Sequence, residues 1–172
     1  MDQLSPDALT PAPQQSAPIR LAVSAAPQVN LAFQQNGVPV IRDIELINDS
    51  ERSFAGLRVE LQTEPGVVLP RVWQVERLAA GGTFHITDCA TELDSQYLRT
   101  LQESVQAQLL FRLLDGTGEV LAEQRLTLEV LAYNEWGGYG NSPELLAAFC
   151  MPNAPTIERL LRSASDLLRE GG

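Results

Sequence analysis

Short runs in which apolar and polar residues alternate make up most of this sequence, and a turn signal ends each run. In the most regular run, Leu57, Val59 and Leu61 alternate with charged or polar neighbours before the turn at 64–66. A period of two residues is typical of a β-strand with one buried face. Turn signals recur about every eight to twelve residues, so the sequence predicts a mainly β fold of about seven or eight short strands.

Each alternating run predicts one strand or a pair of strands. Pro27 separates the first two strands, and Asn36-Gly37 begins the turn before the third. In the third strand Ile41 is expected on the outer face, and Arg42 interrupts the apolar face, which indicates a strand edge or a β-bulge. The predicted strands in this part of the chain cover 19–25, 29–33, 38–47, 57–62, 67–75 with a break at Pro70, and 83–88.

The period changes to that of a helix over 92–104, where apolar residues recur at helical spacing. This pattern predicts a short crossover helix. Two longer strands are expected after it, over 105–113 and 120–131. Asp115-Gly116 lies between them and is the strongest hairpin-turn signal of the chain.

The two ends of the chain differ from the strand region. Residues 1–18 are rich in Pro, Ala and Gln and predict a flexible leader, and residues 19–133 are expected to form the sandwich. Residues 134–172 combine a Trp-Gly loop with two helices that begin near Ser142 and Asn153 and either pack on the sandwich or lead to a following domain. The predicted fold is an immunoglobulin-like antiparallel β-sandwich with a short crossover helix and two C-terminal helices.

The charged residues exclude several functions. All 12 basic residues are arginines, and the net charge is -10. Without lysine, neither a P-loop of the GK[ST] type nor a Schiff base is possible. The arginines occur singly, so direct nucleic-acid binding is not expected of so acidic a chain. No apolar run reaches the roughly 20 residues of a membrane span, so no membrane association is expected either.

Few residues could carry out a reaction. His85 is expected to point outward from its strand, and the chain has no motif such as G-x-S-x-G to supply a nucleophile. Asp88, Glu92 and Asp94 could surround a cation, but they lack the spacing of a Ca²⁺ loop and are interpreted as the acidic edge of a turn and helix start. We therefore predict no catalytic residue, no cofactor and no metal site.

The loop at 134–140 holds the candidate interaction residues, which are Glu135, Trp136 and Tyr139. Two interpretations of Trp136 are open. It either plugs the end of the sandwich and locks the helices in place, or it presents an aromatic anchor to a partner. The plug is favoured because a large apolar side chain is more often buried than displayed.

Three strings of residues resemble the N-terminal region of very large bacterial proteins that carry a superfamily-one helicase core, often with a restriction-type endonuclease domain. The resemblance extends over roughly Ile19 to Glu170 and implies a non-catalytic leading module of an ATP-dependent helicase or nuclease, in defence against foreign DNA. None of the family's enzymatic motifs lies within this chain. The strings are Gln34-Gln35-Asn36 followed by Val38-Pro39-Val40-Ile41-Arg42, Leu131-Ala132-Tyr133-Asn134-Glu135-Trp136-Gly137-Gly138, and Pro143-Glu144-Leu145-Leu146-Ala147-Ala148-Phe149-Cys150-Met151-Pro152-Asn153.

The predicted function is a non-catalytic interaction or docking module whose partner is another protein or another domain of the same chain. The alternative is an extracellular or cell-wall-associated immunoglobulin-like binding domain. The first residues lack the features of a secretory signal, and Cys89 and Cys150 are interpreted as reduced thiols, so a cytoplasmic location is expected. A stand-alone hydrolase would require Asp88 and Glu92 to converge with His85 in one pocket.

Overall fold

Eight strands and two short helices follow one another in the computed structural model, which describes residues 18–137 and Arg159. The helices expected after Ser142, the thiol of Cys150, the side chain of Tyr139 and the leader up to residue 17 lie outside the described residues. The elements are β1 (Ile19–Ala25), β2 (Gln28–Val29), α1 (Leu31–Gln35), β3 (Ile41–Asn48), β4 (Phe54–Glu64), β5 (Arg71–Leu78), β6 (Thr83–His85), α2 (Ser95–Thr100), β7 (Val105–Leu114) and β8 (Val120–Val130).

The strands form two sheets, which confirms the predicted mainly β fold. One sheet has the order β1-β3-β6, and the other has the order β2-β8-β7-β4-β5. Neighbouring strands are antiparallel except β2, which pairs with β8 in parallel through two residues. The predicted hairpin is present as β7 and β8, which pair from Val105 opposite Val130 to Leu114 opposite Val120.

Apolar side chains from both sheets meet in one core. Leu46 of the three-stranded sheet and Val59, Phe111 and Leu128 of the five-stranded sheet belong to the same buried cluster. The ring of Phe111 stacks against that of Trp73, with centroids 6.5 Å apart. The buried face predicted from the period-two pattern is confirmed in β4, where Leu57, Val59 and Leu61 are buried between more exposed residues.

The strand predicted over 29–33 is wrong, because the ladder ends at Val29 and a helix begins at Leu31. Asn30 caps this helix, since its side-chain oxygen accepts a hydrogen bond from Phe33 N. The turn buries Ala32 and Phe33. A single helical turn thus places apolar residues in the core where the sequence pattern predicted a strand.

Arg42 lies at a β-bulge. The register of β1 on β3 pairs Ser24 with Asp43 and then Ala25 with Ile41, so Arg42 has no direct partner. On the other side of β3, β6 pairs only with residues 45–47 and does not reach Arg42. The extra residue reverses the alternation at this point. Ile41 is therefore 1% exposed, and its predicted outward position is wrong.

The helix predicted over 92–104 is confirmed as the shorter α2. Asp94 is its N-cap and accepts hydrogen bonds from Gln96 N and Tyr97 N. Several strands also differ from their predicted bounds. β3 begins only at Ile41, β4 extends over Phe54–Glu64, and β6 ends at His85. The first half of 67–75 makes only an isolated bridge between Val68 and Leu93. Within the described part of the chain, neither helix is long and apolar enough to cross a bilayer.

Candidate functional site

Residues 131–137 follow β8 at one end of the two sheets, and we call them the end loop. Its first residues are bound to two distant parts of the chain. Leu131 N donates a hydrogen bond to Val29 O at 2.9 Å, and Tyr133 N donates one to Leu101 O at 3.0 Å. These bonds join the end loop to β2 on one side and to the segment after α2 on the other.

Two polar side chains also form hydrogen bonds with the end loop. The Asn30 side chain donates from Nδ2 to Glu135 O at 3.0 Å. Ser104 accepts a hydrogen bond from Ala132 N at 3.2 Å and donates one to the Glu135 carboxylate. Glu135 N in turn donates to Ala132 O. Hydrogen bonds from residues 29–30 and from residues 101–104 therefore anchor the end loop between Leu131 and Glu135.

The end loop exposes an aromatic and an acidic side chain from this fixed backbone. Tyr133 is 44% exposed, Glu135 is exposed, and Trp136 is half-buried. Leu131 and Ala132 are buried beneath them. The end loop can thus bind a partner through apolar contact at Tyr133 and a charge at Glu135 without having to become ordered first.

Sequence reasoning identified Glu135 and Trp136 but missed Tyr133. The signal that could have identified Tyr133 is its position just after the last predicted strand, where the alternation of apolar and polar residues stops. No sequence signal points to Ser104 or Leu101, because their contacts with the end loop depend on pairing across the fold.

Replacing Asn30 with alanine is expected to loosen the end loop and α1 together. The residue is 2% exposed, and one side chain both caps α1 and binds Glu135 O. Loss of a cap costs about 0.5–2 kcal/mol, so we expect a loss of about 1–2 kcal/mol in urea unfolding, with faster hydrogen exchange in residues 131–137.

Two further variants separate the roles of Asn30. Asn30→Asp keeps the cap oxygen but has no donor for Glu135 O, so it should speed exchange in the end loop more than in α1. Asn36→Ala is the control at the other end of the helix, where the Asn36 side chain donates to Ala32 O. Equal protection of the end loop in Asn30→Asp and the unaltered protein would contradict the role assigned to Nδ2.

His85 lies on the outer face of the three-stranded sheet, exposed as the sequence predicted. Its Nδ1 is 3.2 Å from Asp43 Oδ1, and its Nε2 is 3.6 Å from Glu45 Oε1. The two ring nitrogens point in opposite directions, so the two carboxylates flank the ring and do not converge on one cation. His85, Asp43 and Glu45 therefore form a polar cluster on the surface of the sheet.

Cys89 lies near this cluster but is not activated by it. Its Sγ donates to Ile86 O at 3.1 Å. Partial burial, and then the negative charge of Asp43, raise the pKa of the Cys89 thiol. A nucleophilic cysteine needs a lowered pKa and a neighbouring base. The environment of Cys89 therefore favours the unreactive thiol.

The acidic residues that were candidates for a cation site serve separate structural roles. Asp88 pairs with Arg71 at 2.6 Å, and the hydrogen bond from Arg71, then that from Ala90 N, lower the pKa of Asp88. Asp94 caps α2, and Glu92 accepts a hydrogen bond through its backbone oxygen from Leu69 N. Among residues 18–137 and Arg159, no group of three or more potential metal ligands is present.

Several arginines are paired with carboxylates on the outer surface of the strands. Arg20 pairs with Asp49 at 2.6 Å, and its hydrogen bond lowers the pKa of Asp49. On the five-stranded sheet the pairs are Arg58 with Glu60, and both Arg112 and Arg125 with Glu123. These side chains compensate one another's charge and form no basic stripe of the kind that binds phosphates.

No protein-family model matches the chain, and no curated protein matches it either. We therefore infer the function from the geometry of the end loop and of the surrounding surface.

Proposed function

We propose that this chain is a non-catalytic docking module built on an immunoglobulin-like β-sandwich. The topology supports this fold, because β8, β7 and β4 lie side by side as the G, F and C strands of such sandwiches do. β1, β3 and β6 correspond in the same way to strands A, B and E of the facing sheet. The short parallel pair of β2 with β8 then continues strand A on the second sheet.

The observation that carries the docking function is the exposed Tyr133 on a backbone anchored by residues 29–30 and by residues 101–104. A tyrosine offers a large apolar face and a polar hydroxyl, and such residues are enriched at binding hot spots. The exposed carboxylate of Glu135 lies two residues away and adds a charge that can select the partner. Binding to a pre-ordered loop avoids much of the entropy cost of ordering it.

The surroundings of the titratable groups support a role without catalysis. His85 is flanked by two carboxylates, and the thiol of Cys89 donates to a backbone oxygen. Asp88 binds Arg71, not His85. A hydrolytic site would need these groups within hydrogen-bond reach of one another and of a substrate.

We further propose that the module forms the N-terminal part of a larger cytoplasmic protein of the ATP-dependent helicase or nuclease type. Its partner would be another domain of that protein or a second protein. The similarity of three strings in the sequence to such proteins supports this proposal, and the net charge of -10 is consistent with contacts to protein and not to DNA. A reading frame that encodes helicase motifs beyond Gly172 would support it further, and a stop codon there would contradict it.

Replacing Tyr133 with alanine tests the docking function. The full chain is immobilised, the proteins that it captures from cells of its source are quantified by mass spectrometry, and the captured partner is then titrated in purified form. Because Tyr133 is exposed, we expect the variant to bind that partner about tenfold more weakly or worse, with a nearly unchanged thermal midpoint.

Two other variants sharpen this test. Val72→Ala removes a similarly exposed apolar side chain from β5 and should leave binding unaltered. Trp136→Ala distinguishes the two interpretations of that residue. If Trp136 is a plug, the variant should have a lower thermal midpoint and unchanged binding. If it is an anchor, the variant should bind more weakly with an unchanged midpoint. Unchanged affinity in Tyr133→Ala would exclude the end loop as the docking surface.

A further inference from the structure

A groove lies beside α1, between two segments that have no regular secondary structure. It is lined by Phe33 and Gln34 of α1, by residues 37–39 and by residues 90–93, and we call the last two segments its walls. Its volume is about 430 Å³, which is within the range of binding pockets in proteins. We call it the α1 groove.

The wall formed by 90–93 exposes unused backbone hydrogen-bonding groups. Leu69 N donates to Glu92 O at 2.8 Å, and Asp94 N donates to Val67 O at 2.9 Å. These two bonds use the groups that face residues 67–69, so N–H and C=O of the intervening Leu93 point to the opposite side. Leu93 lines the groove, and within residues 18–137 its N–H and C=O make no backbone hydrogen bond. Among the residues that the structure describes, one edge of this short extended segment is therefore unpaired.

The backbone of the opposite wall has no unused donor. Val38 N already donates to Phe33 O at 2.9 Å, Gly37 N donates to Gln34 O, and Pro39 has no N–H. The carbonyl oxygens of 37–39 accept no backbone hydrogen bond from the part of the chain that the structure describes. An occupant with alternating N–H and C=O groups could thus bind both walls, and an extended peptide has this pattern.

Two side chains indicate the character of that peptide. Glu92 is exposed, is the one charged residue among the described lining residues, and forms no ion pair within them. Thr91 Oγ1 is buried and has no hydrogen-bond partner in the described chain. A basic side chain would complement Glu92, and a small shift of Thr91 on binding would give its hydroxyl a partner.

We propose that the α1 groove binds a short, basic, extended peptide segment of a partner protein, which adds as a strand to residues 91–93. This inference rests on the proposed docking function and names a second contact surface for it. Three residues of strand span about 10 Å, so the peptide needs few residues to use the open edge. Its backbone would bind Leu93, and its basic side chain would pair with Glu92.

The probe for this proposal is a peptide of about seven residues in which Val and Thr alternate around one central Arg. The isotope-labelled full chain is titrated with it, and amide exchange is followed by NMR. We expect exchange of the Leu93 amide to slow about tenfold or more at saturation, because that N–H gains a partner. The same peptide with N-methylated backbone amides should give no such protection, since it cannot pair as a strand.

Matched variants locate the binding site. Ala90 is exposed on the groove wall, so Ala90→Trp should fill the groove and weaken peptide binding about tenfold, whereas Ala80→Trp in the turn before β6 should not. Glu92→Arg should reverse the preference, so that a peptide with a central Glu binds better than one with a central Arg. These three results together would support the proposal.

Other results would overturn it. Equal affinity of Ala90→Trp and Ala80→Trp would exclude the α1 groove. Peptide-dependent protection at Val72 of β5, the last strand of the described sheet, and none at Leu93 would also exclude it. If the peptide does not bind while capture of a partner still depends on Tyr133, the groove proposal fails and the docking function stands. If the peptide does not bind and capture of a partner does not depend on Tyr133 either, the docking function itself fails.

Discussion

Replacing Phe111 with alanine is expected to lower the free energy of unfolding by about 3–5 kcal/mol. The side chain is 0% exposed and lies in the middle of β7, at the centre of the five-stranded sheet. Its ring stacks on Trp73 of β5, so its removal leaves a cavity between strands that do not pair directly. The loss combines the transfer energy of the ring with the cavity that the fixed strands cannot close.

Urea unfolding monitored by circular dichroism measures this loss. Phe84→Ala is the matched control, because Phe84 is 39% exposed on the short edge strand β6, and its removal should cost about 1 kcal/mol. Similar losses for the two variants would show that the core is not centred on Phe111.

Asn48→Ala is expected to cost about 3 kcal/mol, although it removes a polar residue. Asn48 is 1% exposed at the end of β3. Its Nδ2 donates to Arg52 O at 2.8 Å and to Ala79 O at 2.7 Å, and its Oδ1 accepts from Ser50 N and Oγ. Alanine would remove all of these bonds at the junction of three segments and leave Ser50 N–H without a partner. Arg52 O and Ala79 O would keep only the bonds that they accept from Ser50 Oγ and Gly82 N.

Chemical denaturation again measures the effect. Asn134→Ala is the control, since Asn134 is exposed and should tolerate the change within about 0.5 kcal/mol. Asn48→Asp keeps the acceptor for Ser50 but turns a carboxylate toward the oxygens of Arg52 and Ala79, so it should destabilise at least as much as alanine. Full stability in Asn48→Asp would contradict the importance of the two Nδ2 bonds.

Alternation and turn residues in the sequence predicted the long strands β4, β7 and β8. In β4 and β7 the alternation is regular, so the buried faces were predictable, although β4 extends beyond the predicted 57–62. The Asp-Gly turn made the hairpin of β7 and β8 and its bounds predictable. The cap of α2 was predictable for the same reason, since Asp94 acts on amides two and three residues away. These features need only neighbours in the chain.

The prediction failed where a distant contact decided between two local possibilities. The run from Val29 to Phe33 fits a strand by its pattern, but the Asn30 side chain is used both by Phe33 N and by Glu135 O, more than 100 residues away. The bulge at Arg42 was predictable as an interruption, whereas its effect on Ile41 depended on the register against β1.

The residues of the candidate site also differ in whether the sequence could identify them. Glu135 and Trp136 could be identified from their unusual composition beside glycines. The exposure of Tyr133 could not, because it follows from the bonds that Leu101 and Ser104 make with the end loop. The open edge at Leu93 is a consequence of the pairing of 92–94 with 67–69, which no periodicity in either segment predicts.

The sequence by itself determined that this chain would build short strands separated by turns, bury one face of each, and offer few residues for catalysis. Only the tertiary structure decided which strands are neighbours, where the ladder gives way to α1, and which loop surfaces are held rigid and exposed. The physical reason is the range of the interactions. Alternation, turn chemistry and capping act within a few residues, whereas register, burial and the bonds that fix the end loop and the α1 groove join segments far apart in the chain.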